Sequence, residues 1–207
     1  MNILALDSSS PVVSVAFVTA GVMESSVHFL SNQAHKRSDS AALFEALQAA
    51  VTSHGLPDAL CVGLGPGSYN GLRAGIATAR AMATALEIPM FALPSPLALP
   101  GPDSGFWAVG DARGGHTWIA CVLKGAFLEQ PRLVPALEIT ASFQIHPDFP
   151  ILASAPMPGI ENLQLLTPCA GLLAIAAKKA DPIAGTPEPL YLKPPHITPP
   201  RMIPAGI

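Results

Sequence analysis

Charge is what this sequence has least of. It carries 11 basic and 14 acidic side chains in 207 residues, about half the usual share of about 25%. The basic residues are scattered from Lys36 to Arg201, with no run longer than Lys36-Arg37 or Lys178-Lys179. A chain that binds nucleic acid through phosphate contacts concentrates such residues, so strong direct nucleic-acid binding is not expected. Cysteine is scarce too. Cys61, Cys121 and Cys169 are an odd number at wide spacing, which excludes a disulfide scaffold and predicts reduced, buried packing residues. The six histidines form no i, i+4 pair and have no cysteine at zinc spacing, so no metal site is expected. No apolar run is long enough to cross a bilayer, because the nearest candidate, residues 74–93, is interrupted by Arg80, Glu87 and Pro89. The first residues lack the basic segment of a signal peptide. A cytoplasmic protein without membrane contact is the expectation.

What the sequence does have is apolar bulk, at 50% of residues, with 17 Gly and 23 Pro. Such a chain must bury its surface in a core or against a partner. Its length allows one large domain or two small lobes. Eight prolines fall in residues 182–207, and each fixes φ and removes a backbone donor. That stretch is expected to be an irregular tail.

Residues 2–7 and 11–19 read as strands, Ala20-Gly21 as a tight turn and residues 22–29 as a third strand. Ser38, Asp39 and Ser40 are candidate caps for a helix over 39–53 that carries Leu43, Leu47 and Val51 at i, i+4, i+8 and stops at Gly55. A short buried strand at 59–62 follows, then a glycine-rich turn from Gly63 to Gly71, a helix over 71–87 and a strand at 88–93. The order βββαβαβ predicts an α/β lobe with a mixed sheet over residues 1–94. Four prolines in 94–104 mark the expected boundary. A smaller second lobe over 105–181 starts with strands at 106–111 and 116–123 joined by Asp111-Ala-Arg-Gly-Gly115, continues in Pro-broken segments and ends in a helix at 168–180. No internal repeat is visible.

The glycine turn fails the phosphate-loop spacings. No Lys-Ser/Thr follows its glycines, a dinucleotide fingerprint would need Gly at 68 or 70, and Ser68 is flanked at the two required positions by Pro66 and Asn70 rather than glycine. Two readings stay open: a tight strand-to-helix turn, or an anion site in which Gly65, Gly67 and Ser68 offer close backbone approach at a helix N-terminus. Asp7-Ser8-Ser9-Ser10 between the first two strands can likewise wrap a phosphate or form an ordinary turn. Arg113, after Asp111, is a surface ion-pair residue or an anion hook. No sequence pairing gives Ser68 a base, which leaves a peptidase reading without support.

Taken together, Ile3-Leu-Ala-Leu-Asp-Ser-Ser-Ser10, Val62-Gly-Leu-Gly-Pro-Gly-Ser-Tyr-Asn-Gly-Leu-Arg73, Ile88-Pro89 with Ser95, Asp111-Ala-Arg-Gly-Gly115 and Pro189-Leu-Tyr-Leu-Lys193 resemble the motifs of the TsaB (YeaZ-type) family. Tyr69-Asn70 stands where Phe-Thr is usual there, and His116 where Glu is common. The resemblance implies an actin-like, Hsp70-like and sugar-kinase-like two-lobed fold. It also implies a non-catalytic subunit that supports TsaD in forming N6-threonylcarbamoyladenosine at position 37 of tRNAs reading A-starting codons. A TsaE-type ATPase joins that assembly. No cofactor of its own is implied, and ATP or ADP is expected only at the partner interface. Ser9 stands where ATP-binding relatives carry glycine, so Asp7, Ser8, Ser9, Ser10, Gly65, Gly67, Ser68, Asp111 and Arg113 are expected to form a degenerate phosphate site. Leu43 and Leu47 of the first helix, with Leu72, Arg73, Ile76, Ala79, Arg80 and Ala83 of the second, are expected to pair with TsaD or with a second copy. The alternative is an ATP-dependent phosphotransferase or hydrolase of the same fold.

Overall fold

In the computed structural model, residues 1–30 and 36–193 are described, with side chains described from Ala41 onward in the first helix. Residues 31–35 and the last part of the expected tail, 194–207, lie outside the described residues. Strands β1 (Asn2–Asp7), β2 (Val12–Thr19) and β3 (Val22–Leu30) form an antiparallel meander. Ala20 and Gly21 join the last two with φ values of 52° and 94°, the positive pair that a two-residue turn matched to strand twist requires. Helix α1 (Lys36–His54) leads to β4 (Ala59–Gly63), parallel to β1, and α2 (Tyr69–Leu86) leads to β5 (Met90–Leu93), parallel to β4. The backbone is helical from Lys36, two residues ahead of the caps expected at Ser38 to Ser40, whose side chains lie outside the described residues.

The sheet order is β3-β2-β1-β4-β5. A second sheet repeats it. β6 (Phe106–Asp111), β7 (His116–Leu123) and β8 (Ala126–Pro135) form a meander, and β9 (Ile151–Ala153) and β10 (Leu163–Leu165) extend it in parallel beside β6. The order is β10-β9-β6-β7-β8. The duplication is topological and leaves no repeat in the sequence, because a sheet face constrains polarity and size far more than residue identity. Pro131 and Pro135 did not break β8. It pairs on one side only, with β7, and an edge strand has backbone donors to spare.

Three layers make the first lobe. Leu4, Leu6, Val15, Phe17, Leu60 and Val62 face α1 and α2, while Ile3, Ala5, Ala16, Val18, Ala59 and Cys61 face the other way. Helix α4 (Ala170–Ala177) covers that second face. This corrects the expected lobe boundary at residue 181. After β10 the chain returns to the first lobe, because α4 is apolar nearly all round and must be buried. The second lobe has two cores, one around Trp107, Ile119 and the short helix α3 (Ile139–Phe143), the other around Phe106, Ala108 and Trp118. A 3-10 turn at 95–98 joins the lobes, with Ala98 packed in the first and Leu97 also touching the second. Among the described residues no helix is long and apolar enough to cross a membrane.

Candidate functional site

Asp7 ends β1 beneath the glycine turn. Its side chain is fully buried; Oδ1 accepts the Ser9 amide at 2.9 Å and the Ser9 hydroxyl at 2.6 Å, while Oδ2 has no hydrogen-bond partner. Burial raises the carboxyl pKa above its ordinary value, against the pull of the Ser9 and Ser95 hydroxyls and the Ser9 amide, which favour the charged form. Ser95 Oγ stands beside it and accepts the Gly65 amide at 2.8 Å.

The glycines of the turn are filled from within. A Cβ on Gly63 would fall on Asp7 Oδ2, one on Gly67 on the Ser9 carbonyl, and those on Gly71 and Gly75 on the Ser8 carbonyl and hydroxyl. The Ser68 amide donates to the Ser9 carbonyl at 2.7 Å, and the Ser8 hydroxyl to the Gly71 carbonyl at 2.8 Å. Close backbone approach, the property that makes such turns phosphate cradles, here seats the β1–β2 hairpin against the start of α2. Ser68 is the N-cap of α2, its hydroxyl accepting the Gly71 amide at 3.3 Å. Ser10 is similarly engaged, with its hydroxyl donating to the Val12 carbonyl. Of the two readings left open, the tight-turn reading matches these contacts.

Asp111 is the second-lobe counterpart of Asp7. Each ends the first strand of its sheet, and each accepts the amide two residues on, Arg113 at 2.7 Å in the second case. Arg113 has φ 59°, followed by Gly114 and Gly115 at 56° and 71°. Asp111 and Arg113 are exposed, and the two form no ion pair. The contacts do not bring them onto Asp7. What connects the two turns is a segment outside the expected site: the Leu190 amide donates to the Leu64 carbonyl at 2.8 Å, Tyr191 stacks on Tyr69, and Lys193 Nζ donates to the Arg113 carbonyl at 2.7 Å. Only the family motif Pro189 to Lys193 pointed there, since nothing local in a Pro-rich tail assigns it to a site.

The expected partner face needs correction. Leu43, Leu47, Leu72, Ile76, Ala79 and Ala83 are buried in this chain. All but Leu72 belong to the core between the helices and the first sheet. The apolar stripe faces the sheet because a single sheet face is the largest apolar surface within reach. Arg73 and Arg80 are exposed, beside Ala74, Ala77, Ala81, Thr84 and Ala85. The outer face of α2 is therefore small-residued with two arginines. On α1 the outer face carries exposed Phe44. Cys61 and Cys121 are buried, as expected, and Cys169 is half-buried with Sγ 3.4 Å from Met23 Sδ. Among the described residues no cluster of three or more metal-ligating side chains exists.

Two sheets, each a meander extended by two parallel strands and each with an acid at the end of its first strand, define an actin-like, Hsp70-like, sugar-kinase-like protein. Residues 29–99 match the family model of TsaD, tRNA N6-adenosine threonylcarbamoyltransferase. The chain is 31% identical over 211 aligned positions to an uncharacterised protein of Mycobacterium tuberculosis, covering 96% of this chain and 94% of the other, and equally to one of Mycobacterium bovis. Among solved structures it is similar to YeaZ from Pseudomonas aeruginosa, with TM-score 0.70, 22% identity and coverage of 86% of this chain and 91% of that one. A Pseudomonas aeruginosa protein described as similar to peptidase YeaZ matches with TM-score 0.74, 22% identity, and 93% and 99% coverage. The chain belongs to one family with the mycobacterial proteins, shares a TsaD-type segment and has the fold of YeaZ.

Proposed function

We propose that this chain is the non-catalytic subunit that binds TsaD and supports formation of N6-threonylcarbamoyladenosine at position 37 of tRNAs reading A-starting codons. The observation that carries the reading is the internal filling of the glycine turn. The space beside Gly67, Gly71 and Gly75 that a nucleotide phosphate would need is filled by Ser8 and Ser9, and the Ser68 amide is spent on the Ser9 carbonyl. The outer face of α2 suits a partner helix, because Ala74, Ala77 and Ala81 allow close approach and Arg73 and Arg80 flank them. The same face serves a second copy of this chain, so homodimer and TsaD complex are alternatives on one surface. A TsaE-type ATPase then joins the TsaD-bound form, and the place for ATP or ADP is the partner interface. The work is cytoplasmic and involves no membrane. Scattered basic residues leave tRNA binding to the partner.

The test is complementation of a bacterium depleted of its TsaB, expressing this chain with its cognate TsaD, with the modified nucleoside measured in bulk tRNA by mass spectrometry. Wild type is expected to restore it, and Ala77→Arg with Ala81→Arg is expected not to. Failure of wild type beside soluble TsaD, together with tight ATP binding that Asp7→Ala abolishes, would put the phosphotransferase or hydrolase reading in its place.

A further inference from the structure

Residues 183–193 run along both lobes. The Ile183 amide donates to the Met90 carbonyl at 2.8 Å, and its side chain packs into the first-lobe core. Pro187 is buried. Of the four residues 190–193, the first two attach to the first lobe and the last two to the second. Leu190 donates to the Leu64 carbonyl in the glycine turn. Tyr191 lies on Tyr69 at the start of α2, with ring centroids 5.3 Å apart and planes inclined by 26°. Leu192 packs against the second-lobe core that holds Phe106, Ala108 and Trp118. Lys193 Nζ donates to the Arg113 carbonyl at 2.7 Å and the Ala112 carbonyl at 3.4 Å. The run Arg113-Gly114-Gly115 is left-handed, and an ammonium, with three donors, can hold two carbonyls at once.

Tyr69 is also tied to the outer face of α2. Its hydroxyl accepts Arg73 Nη1 at 2.6 Å, so Tyr191, Tyr69 and Arg73 form one row. Both tyrosines remain 45% exposed. We propose that residues 190–193 are a latch that fastens the glycine turn of the first lobe to the 111–115 turn of the second, and that Tyr191 is a positioning residue holding Tyr69 and Arg73 as a partner meets them. The second half rests on the partner reading above; the first half does not. Stacked aromatic rings have a preferred geometry, and the ammonium holds the far end, so releasing either end frees both.

Hydrogen exchange on the isolated full chain tests the latch. Lys193→Met keeps the apolar stem and removes the donors; Tyr191→Ala removes the stack; Tyr191→Phe keeps it. Peptides covering 187–193 and 111–116 are expected to exchange about tenfold faster in the first two variants, with Tyr191→Phe like wild type and peptides from β1 and β4 unchanged in all three. Unchanged exchange at 187–193 and 111–116 in both Lys193→Met and Tyr191→Ala overturns the latch, and the β1 and β4 peptides report whether each variant has folded. Affinity for purified TsaD tests the positioning role: Tyr191→Ala is expected to weaken it about as much as Tyr69→Ala, with the double variant no weaker than either single one. Additive losses, or TsaD binding unaffected by Tyr191→Ala, overturn that role. If wild type does not bind TsaD the functional reading falls, and the exchange result still decides the latch.

Discussion

Asp7 and the glycines above it show how much one residue position can depend on a contact far away in sequence. Gly67 and Gly159 look alike in the chain, yet a methyl group on the first would meet the Ser9 carbonyl and on the second would meet nothing within 4 Å. Gly67→Ala is expected to destabilise the protein by about 1–3 kcal/mol through overpacking. Gly159→Ala costs about 1 kcal/mol, through its φ of 85° alone. Urea unfolding of the two variants checks the contrast. Asp7 makes a prediction in pH. Its native pKa is raised by burial, so the native state holds the proton to higher pH than the unfolded chain, whose carboxyl titrates near about 3.9. The stabilisation from that proton is complete below the unfolded value and is lost as pH rises through the native one. Asp7→Asn keeps the oxygen that accepts from Ser9 and does not ionise. Its unfolding free energy, measured from pH 3 upward, is expected to lack the decline wild type shows over that window.

At the scale of elements, α2 has two faces with opposite demands. Ala79 is fully buried against the sheet, while Ala77 and Ala81 are exposed. Ala79→Arg is expected to unfold the first lobe, because it buries an unpaired charge where there is no space. Ala77→Arg should leave thermal unfolding within about 0.5 kcal/mol of wild type and abolish co-purification with TsaD. The periodicity of Leu72, Ile76, Ala79 and Ala83 correctly announced a helix with one buried face. Periodicity reports that a face is buried and is silent on whether the cover is the chain's own sheet or another molecule. That is why residues expected at the interface proved to be core.

For the molecule as a whole, the first lobe depends on a helix that lies 77 residues beyond its last strand, counting from Leu93 to Ala170. Leu173, on the face of α4 turned to the first sheet, is fully buried. Leu173→Ala is expected to cost about 2–5 kcal/mol and to speed amide exchange in β1 and β4, strands remote in sequence, before it does so in β7. Unchanged exchange in β1 and β4 would mean that the two lobes are stabilised independently of α4.

Local sequence determined a great deal here. The β-branched runs at 12–19 and 116–123, the Ala20-Gly21 turn and the glycine turn ahead of α2 each act within a few residues, through backbone sterics and side-chain period, so strands, turns and helices could be read where they fall. The same holds for Asp7 and Asp111, whose turns are closed by amides two residues away. Tertiary structure alone decided the rest. It placed α4 on the first sheet, repeated one topology in two lobes, put Ser8 and Ser9 into the glycine turn and laid Tyr191 on Tyr69. These are contacts between residues more than 50 positions apart. They are selected by which apolar faces and unpaired backbone groups remain when each element has formed, and no local pattern encodes that remainder.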